Sequence, residues 1–371
     1  MDVMREAAAR EAAGQSVLHL EVGQPAAPLP ETARKAAERA LAKEADKLGY
    51  TEALGRPSLR ARIARHYKER HGLDIAPERI VITTGSSAGF ILSFLALCDA
   101  GARIALPAPG YPAYRNIVRA LDMVPAEIAL KAESRWVLSP EALLEEHSVK
   151  PLSALLVASP NNPTGTVMQP EAQKALARAA EDAGIAYISD EIYHGLVHEG
   201  AEESILAATD KAVVINSFSK YFCMTGWRIG WMVIPPELVR TVERLQQNLF
   251  ICAPALSQIV AEAVFEDTPA LEEIKAGYAR NRARLLESLP KIGFRDILPA
   301  DGAFYIYADV TPFSNDSRDF AATVLQETGV AITPGVDFDL ERGHRYVRLS
   351  FAGAETTIAE AVSRLGDHLK G

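Results

Sequence analysis

Residues 216–233 read NSFSKYFCMTGWRIGWMV and follow a short apolar run, KAVVI, at 211–215. The β-branched run reads as a strand, and the polar stretch after it as the loop leaving that strand. One lysine, Lys220, stands between Ser217 and Ser219 on one side and Arg228 on the other. A lysine near cations and partly desolvated has a lowered pKa and becomes a usable nucleophile. Lys220 is therefore the candidate catalytic residue. Its amine can hold an aldehyde cofactor as a Schiff base, while Ser217, Ser219 and Arg228 hold a phosphate on that group. The plainer alternative, a surface lysine on a loop, sits poorly with the apolar VVIN and GWRIGWMV that flank it.

Outward from this stretch, short apolar runs alternate with helical patterns. RIVITT (79–84), RIALPAPGYP (103–112), SALLVASP (153–160), IAYISDE (185–191), AVVINS (212–217) and RIGWMVI (228–234) read as strands. GFILSFLALC (89–98) and EAQKALARAAEDAG (171–184) read as helices, the second with glycine near its C-terminus. Strands apolar on both sides and joined by helices predict an α/β fold with a mostly parallel sheet covered on both faces. Three helical patterns follow from about 236. Then GAFYIYADV and YVRLSFA read as alternating or aromatic strands, with helices at 318–328 and 354–369. The predicted division is 31–284 as a large domain and 285–371 as a smaller α+β domain, with residues 1–30 packing partly on the latter.

The 371 residues exceed what one hydrophobic core usually supports, in line with two domains. A net charge of -9 without a basic cluster argues against nucleic acid and against an anionic membrane surface. The N-terminus has acidic residues and no continuous apolar run, so neither a signal peptide nor a transmembrane helix is expected. Cys98, Cys223 and Cys252 are odd in number, widely spaced and set among apolar residues. They read as buried hydrophobes of a reducing, cytoplasmic setting, not as disulfides or zinc ligands.

Polar residues recur where the strands end, the edge at which open parallel sheets bind ligands. Four segments meet there: TTGSSAG (83–89), SPNNPTG (159–165), SDEIYHG (189–195) and NSFSK (216–220). Gly85, Ser86 and Ser87, between strand and helix, suit a phosphate through backbone amides and the helix dipole, or serve as an ordinary helix cap. They also fit G-x-S-x-G, a hydrolase nucleophile elbow, with Asp190 and His344 following in the right order. That reading leaves Lys220, Arg228 and NNPTG without a task. Asp190, ending an apolar strand, needs a partner if buried. A protonated pyridine nitrogen would be one, and a helix cap or nearby base another. Tyr193 and Asn162 can donate to a phenolate on the same ring, and Tyr111 can lie flat on its face. Asp190, Glu191 and His194 lack further histidine or cysteine at supporting spacing, so no metal is expected. Arg348, in a strand-like apolar setting, wants a bidentate anion: a substrate carboxylate, or an internal acid.

Together these motifs resemble the fold-type-I pyridoxal-phosphate enzymes, specifically the class I/II aminotransferases of the aspartate aminotransferase superfamily. The resemblance spans nearly the whole chain and implies a seven-stranded sheet in the large domain. It rests on Asn162-Pro163-Thr164-Gly165, on Asp190 with Tyr193, on Ser217, Ser219 and Lys220 followed eight residues later by Arg228, on Gly85-Ser86-Ser87, on Tyr111 and on Arg348. It implies pyridoxal 5'-phosphate as cofactor, amino-acid and 2-oxo-acid substrates, and a ping-pong transamination. It further implies that Gly23 in LEVGQP lies against the substrate. Tyr50, opening YTEALGRPSLR, would reach the phosphate of a neighbouring subunit, hence a homodimer with shared sites. A carbon–sulfur or other amino-acid lyase on the same fold is the alternative.

Departures bear on the substrate. Ala26 and Ala27 replace the usual acidic or aromatic residues after the N-terminal glycine motif. Ser87 stands where one branch of the family has a lysine for a distal carboxylate. The segment QQNLFICAPALSQ offers Asn248 and Phe250 in place of a charge. These point to a neutral or aromatic amino donor, with Arg34, Arg115 and Arg135 as the remaining possible cations.

Overall fold

In the computed structural model, residues 2–369 are described. The helices are α1 (Asp2–Ala12), α2 (Glu31–Lys43), α3 (Pro57–His71), α4 (Gly85–Leu97), α5 (Pro112–Ala120), α6 (Pro140–Val149) and α7 (Pro170–Asp182). After them come α8 (Val239–Leu249), α9 (Ala255–Val264), α10 (Thr268–Lys291), α11 (Ser317–Thr328) and α12 (Glu355–Leu369). The strands are β1 (Leu18–His19), β2 (Ile80–Thr83), β3 (Arg103–Ala108), β4 (Val124–Ala129), β5 (Ala154–Ala158) and β6 (Ala186–Asp190). The others are β7 (Val213–Ser217), β8 (Gly230–Val233), β9 (Tyr305–Asp309), β10 (Val330–Ala331), β11 (Thr333–Pro334) and β12 (Tyr346–Ser350).

The main sheet has seven strands in the order β2-β8-β7-β6-β5-β3-β4. Strands β3 to β7 are parallel to one another, and β8 runs antiparallel to both β2 and β7. The apolar runs explain the burial. Every residue of β5, ALLVA, is buried. Leu155 and Val157 join one core cluster, while Ala154, Leu156 and Ala158 join another. The period-2 pleat thus feeds two separate cores, one on each face, as a helix-covered parallel sheet requires. Each fully buried leucine or valine contributes about 1.5–3 kcal/mol relative to exposure.

Helix boundaries follow local chemistry. Proline occupies the first turn of α3, α5, α6 and α7, where its missing N–H costs nothing. Ser139 caps α6 by accepting from the Ala142 N–H.

A second, three-stranded antiparallel sheet has the order β11-β12-β9. Strand β1 pairs in parallel with β10, and α1 packs Ala7 against Leu325 and Ala331. The N-terminal segment therefore lies on the elements near the C-terminus. The 284/285 boundary expected from sequence falls inside α10, which runs unbroken from Thr268 to Lys291. No helix of the described residues is long and apolar enough to cross a membrane.

Candidate active site

Because β2 and β7 both oppose β8, they point the same way as β5 and β6. The four loops after these strands accordingly meet at one edge. They border a cavity of about 760 Å³ that also takes in Gly23, Tyr305, Thr333 and Arg348 from the β1 and β9–β12 region. The cavity is lined by Ser86, Ser87, Tyr111, Asn162, Asp190, Tyr193, Ser219, Lys220, Arg228, Gly23 and Arg348. Of the residues expected to hold the cofactor, Gly85, Ser217 and Tyr50 are not on its wall.

Lys220 lies just past β7, partly buried, and its Nζ donates to the carbonyl oxygen of Gly23 at 2.5 Å. Burial, with the charges of Arg348 and Arg228, pushes its pKa down to about 8, against the opposing pull of Asp190. Asp190 ends β6 and is 2 % exposed. Its Oδ2 accepts from the Tyr114 hydroxyl and its Oδ1 from the Ile192 N–H at 3.1 Å. Burial raises the carboxyl to about 6, and these two donors hold it from rising further.

Ser86 and Ser87 form the first turn of α4. Gly85 has φ +72°, and a Cβ there would run into the Arg228 guanidinium. Glycine is thus required both for the turn and for the arginine to lie over the N-terminus of α4. Arg228 itself has φ 47°, a rare region for a residue with a side chain. Its Nη1 donates to Thr225 O at 3.2 Å, and no carboxylate among the described residues pairs with it. Ser219 faces the cavity. The Ser217 hydroxyl is turned away, donating to Ile229 O at 3.2 Å and lying 3.0 Å from Ser219 Oγ.

Arg348, on β12, is 6 % exposed. Its Nη1 donates to Asn162 Oδ1 at 3.0 Å, and its Nη2 to Glu21 O at 2.6 Å. Its Cζ lies 4.3 Å from the Tyr305 ring centre and 4.8 Å from that of Phe338. The guanidinium lies against two aromatic rings, with Nε buried and unpartnered. Gly23 fits because a Cβ would overlap the Tyr305 hydroxyl. Tyr111, 40 % exposed, sets its ring edge-on to Tyr114, centroids 5.4 Å apart.

Sequence reasoning missed Tyr114 and Tyr305. Tyr114 lies three residues after Tyr111 on α5, a helical spacing that could have revealed it. In sequence, Tyr305 reads only as part of an aromatic strand. Histidine spacing also misled: the fold brings His71, His194 and Glu202 within 4.8 Å of one another, a grouping hidden by sequence distance. Both Glu202 oxygens already accept, from Arg70 Nε and from the Gly195 N–H, each at 2.6 Å. Ser87 has no base from His344, which is exposed and bonded to Glu341 O. The hydrolase alternative therefore fails on geometry. The three spare arginines are engaged: Arg34 with Glu38, Arg115 with the Asp337 carbonyl at 2.6 Å, and Arg135 with Asp301 at 2.9 Å.

Residues 15–365 match the family model for aminotransferase class I and II. A valine–pyruvate aminotransferase of Mycobacterium tuberculosis is 48% identical over 100% of this chain and 95% of its own length. A (5-formylfuran-3-yl)methyl phosphate transaminase of Methanocaldococcus jannaschii is 35% identical over 100% of this chain and 96% of its own. Among solved structures, an aminotransferase from Mycobacterium tuberculosis superposes with a TM-score of 0.97 at 46% identity, covering 100% and 96% of the two chains.

Proposed function

The chain belongs to the class I and II aminotransferases, pyridoxal-phosphate-dependent enzymes that move amino groups by a ping-pong mechanism, and from that premise we propose that it holds pyridoxal 5'-phosphate on Lys220 and takes a neutral L-amino acid as donor with a small 2-oxo acid such as pyruvate as acceptor. The lyase alternative gives way to this family assignment. The observation that carries the reading is the placement of the Lys220 amine and the buried Asp190 carboxylate on one cavity wall, with the unpaired Arg228 beside the first turn of α4.

The donor set fits the cofactor. Arg228, Ser86, Ser87, Ser219 and the α4 amides suit its phosphate, with Gly85 giving the close approach and Ser217 steadying Ser219. Asp190 suits the ring nitrogen, Tyr193 and Asn162 the phenolic oxygen, and Tyr111 the ring face. When bound, pyridoxal phosphate supplies an aldehyde for the amino group and an electron-poor ring that stabilises negative charge at Cα. Arg348 binds the donor's α-carboxylate through Nη1 and Nη2, and Gly23 leaves room beside it. Lys220 Nζ, near neutrality in its pKa, takes the Cα proton as a base and returns a proton as an acid. Asp190 stays ionised above about pH 6 and so holds a cationic partner across the neutral range.

The neutral-donor reading is supported by what surrounds the remaining space. Val22, Phe90, Ile192 and Phe338 line it, and Glu21, buried there, pairs Oε1 with His19 Nδ1 at 2.8 Å and keeps Oε2 without a partner. A second substrate carboxylate would meet that charge. Arg318, exposed, is a cation on the wall, and the carboxylates of Glu6 and Asp319 are on the same wall.

The homodimer belongs to the same proposal. Tyr50, Leu249 and Ile251 are exposed at 83%, 50% and 49%, and the Thr51 N–H contacts Cys252 Sγ, which gathers the two segments on one face. A second copy covering that face would bring Tyr50 to its partner's phosphate site. The partition into 31–284 as cofactor domain and 285–371 with residues 1–30 as a smaller one is also part of the reading.

Steady-state kinetics test it. With pyruvate as acceptor, kcat/KM for valine is expected to exceed that for aspartate at least tenfold. An equal or greater value for aspartate would refute the donor class.

A further inference from the structure

Tyr305 opens β9 and is 1% exposed. Its hydroxyl lies 2.8 Å from the Tyr193 hydroxyl. The rings stand edge to face, centroids 5.7 Å apart at 82°. One face of the Tyr305 ring carries the Arg348 guanidinium, and its hydroxyl end fills the space a Cβ of Gly23 would need. One side chain of the three-stranded sheet thus touches Tyr193, Gly23 and Arg348, which come from three separate segments. A buried phenol left without a partner is costly, and the Tyr193 hydroxyl is the hydrogen-bond partner found for it.

Two hydroxyls facing each other leave the direction of the bond open. The proposed site resolves it. If Tyr193 spends its proton on the phenolic oxygen of the cofactor, its own oxygen is free only to accept. Tyr305 is then the donor, and the two hydroxyls form a directed chain, Tyr305 O–H to Tyr193 O, Tyr193 O–H to the cofactor. Donation into Tyr193 polarises it and strengthens its outward bond.

We propose that Tyr305 is a positioning residue that sets the donor direction and strength of Tyr193, and thereby the pH at which the Lys220-bound cofactor loses its proton. The inference rests on the cofactor reading above. It assigns Tyr305 no contact with substrate.

The test is a pH titration of the visible absorbance of the cofactor-loaded protein, for wild type, Tyr305→Phe, Tyr193→Phe and the double variant. Phenylalanine at 305 keeps the ring against Arg348 and removes only the hydroxyl. The weaker Tyr193 bond then stabilises the deprotonated form less. The midpoint is expected to move up by roughly a few tenths of a unit to one unit, less than in Tyr193→Phe. In the Tyr193→Phe background, Tyr305→Phe should add no further shift. KM for the amino donor should stay within about twofold in Tyr305→Phe and rise in Tyr305→Leu, which loses the ring under Arg348.

A hydroxyl that merely satisfies the core would lower the melting temperature of Tyr305→Phe and leave the midpoint unmoved. That result, or equal shifts in both backgrounds, overturns the proposal while the wild-type titration stands. A wild-type protein that develops no visible band with pyridoxal phosphate overturns the cofactor reading and this one together.

Discussion

Removing the Arg348 guanidinium gives the sharpest test of how the donor is held. Both Nη atoms are fixed: one by Asn162 Oδ1, the other by Glu21 O, with aromatic rings at 4.3 and 4.8 Å. A carboxylate arriving at that fork takes two charge-assisted hydrogen bonds, each worth about 1.5–3 kcal/mol. Arg348→Ala removes both, or about 3–6 kcal/mol, which is roughly a 10²- to 10⁴-fold fall in kcat/KM. Arg348→Lys keeps the charge and loses the fork, so about 10- to 10²-fold is expected. The assay compares an amino-acid donor with the corresponding amine lacking the carboxylate. Only the amino acid should suffer, because the amine never used the fork. Melting temperatures distinguish misfolding, since Asn162 and Glu21 lose a donor in both variants. A fall below tenfold in Arg348→Ala, or an equal fall with the amine, would refute the role.

Tyr114→Phe removes a donor that holds down the Asp190 carboxyl, so Asp190 titrates higher and the acid limb of kcat/KM moves to higher pH; an unmoved limb contradicts the contact. Gly23→Ala forces a Cβ into the Tyr305 hydroxyl, and a loss of at least tenfold in kcat/KM is expected, against near-wild-type rates if the strand simply yields. In the apoprotein Lys220 titrates near 8 against an ordinary 10.5. The unfolded chain therefore binds the extra proton between those values, and stability rises with pH across that window by roughly 3 kcal/mol. Urea melts of wild type and Lys220→Met should diverge there; parallel profiles would show that the amine is not desolvated.

Much of this was legible because the large sheet is built from local signals. Runs such as ALLVA and VVINS are apolar on both faces and end in polar loops, so both the strand and its functional edge announce themselves. The pairing of β8 is not local. GWMV reads like any buried strand, and its antiparallel direction appears only in the fold, where residues 218–229 return the chain beside β7. Strand β4, VPAEIA, escaped notice as an edge strand with a proline and only partial burial. Among site residues, Lys220, Asp190 and Arg348 stand out because a charge within an apolar run needs an explanation. Tyr114 and Tyr305 do not, since an aromatic residue in a helix or strand is ordinarily core. Only the fold reveals that their hydroxyls end on Asp190 and Tyr193. The turning away of the Ser217 hydroxyl was equally invisible, because β7 ends at Ser217 and the turn after it sets where Ser219 points.

The most direct test of the central claim is a single half-reaction. Protein loaded with pyridoxal phosphate is titrated with L-valine or L-alanine without any oxo acid, while the visible spectrum and released products are followed. The account predicts loss of the Lys220-bound visible band, one equivalent of 2-oxo acid per site, and return of the band on adding pyruvate. A band that persists while ammonia or carbon dioxide accumulates catalytically, or the same exchange in Lys220→Ala, would contradict it.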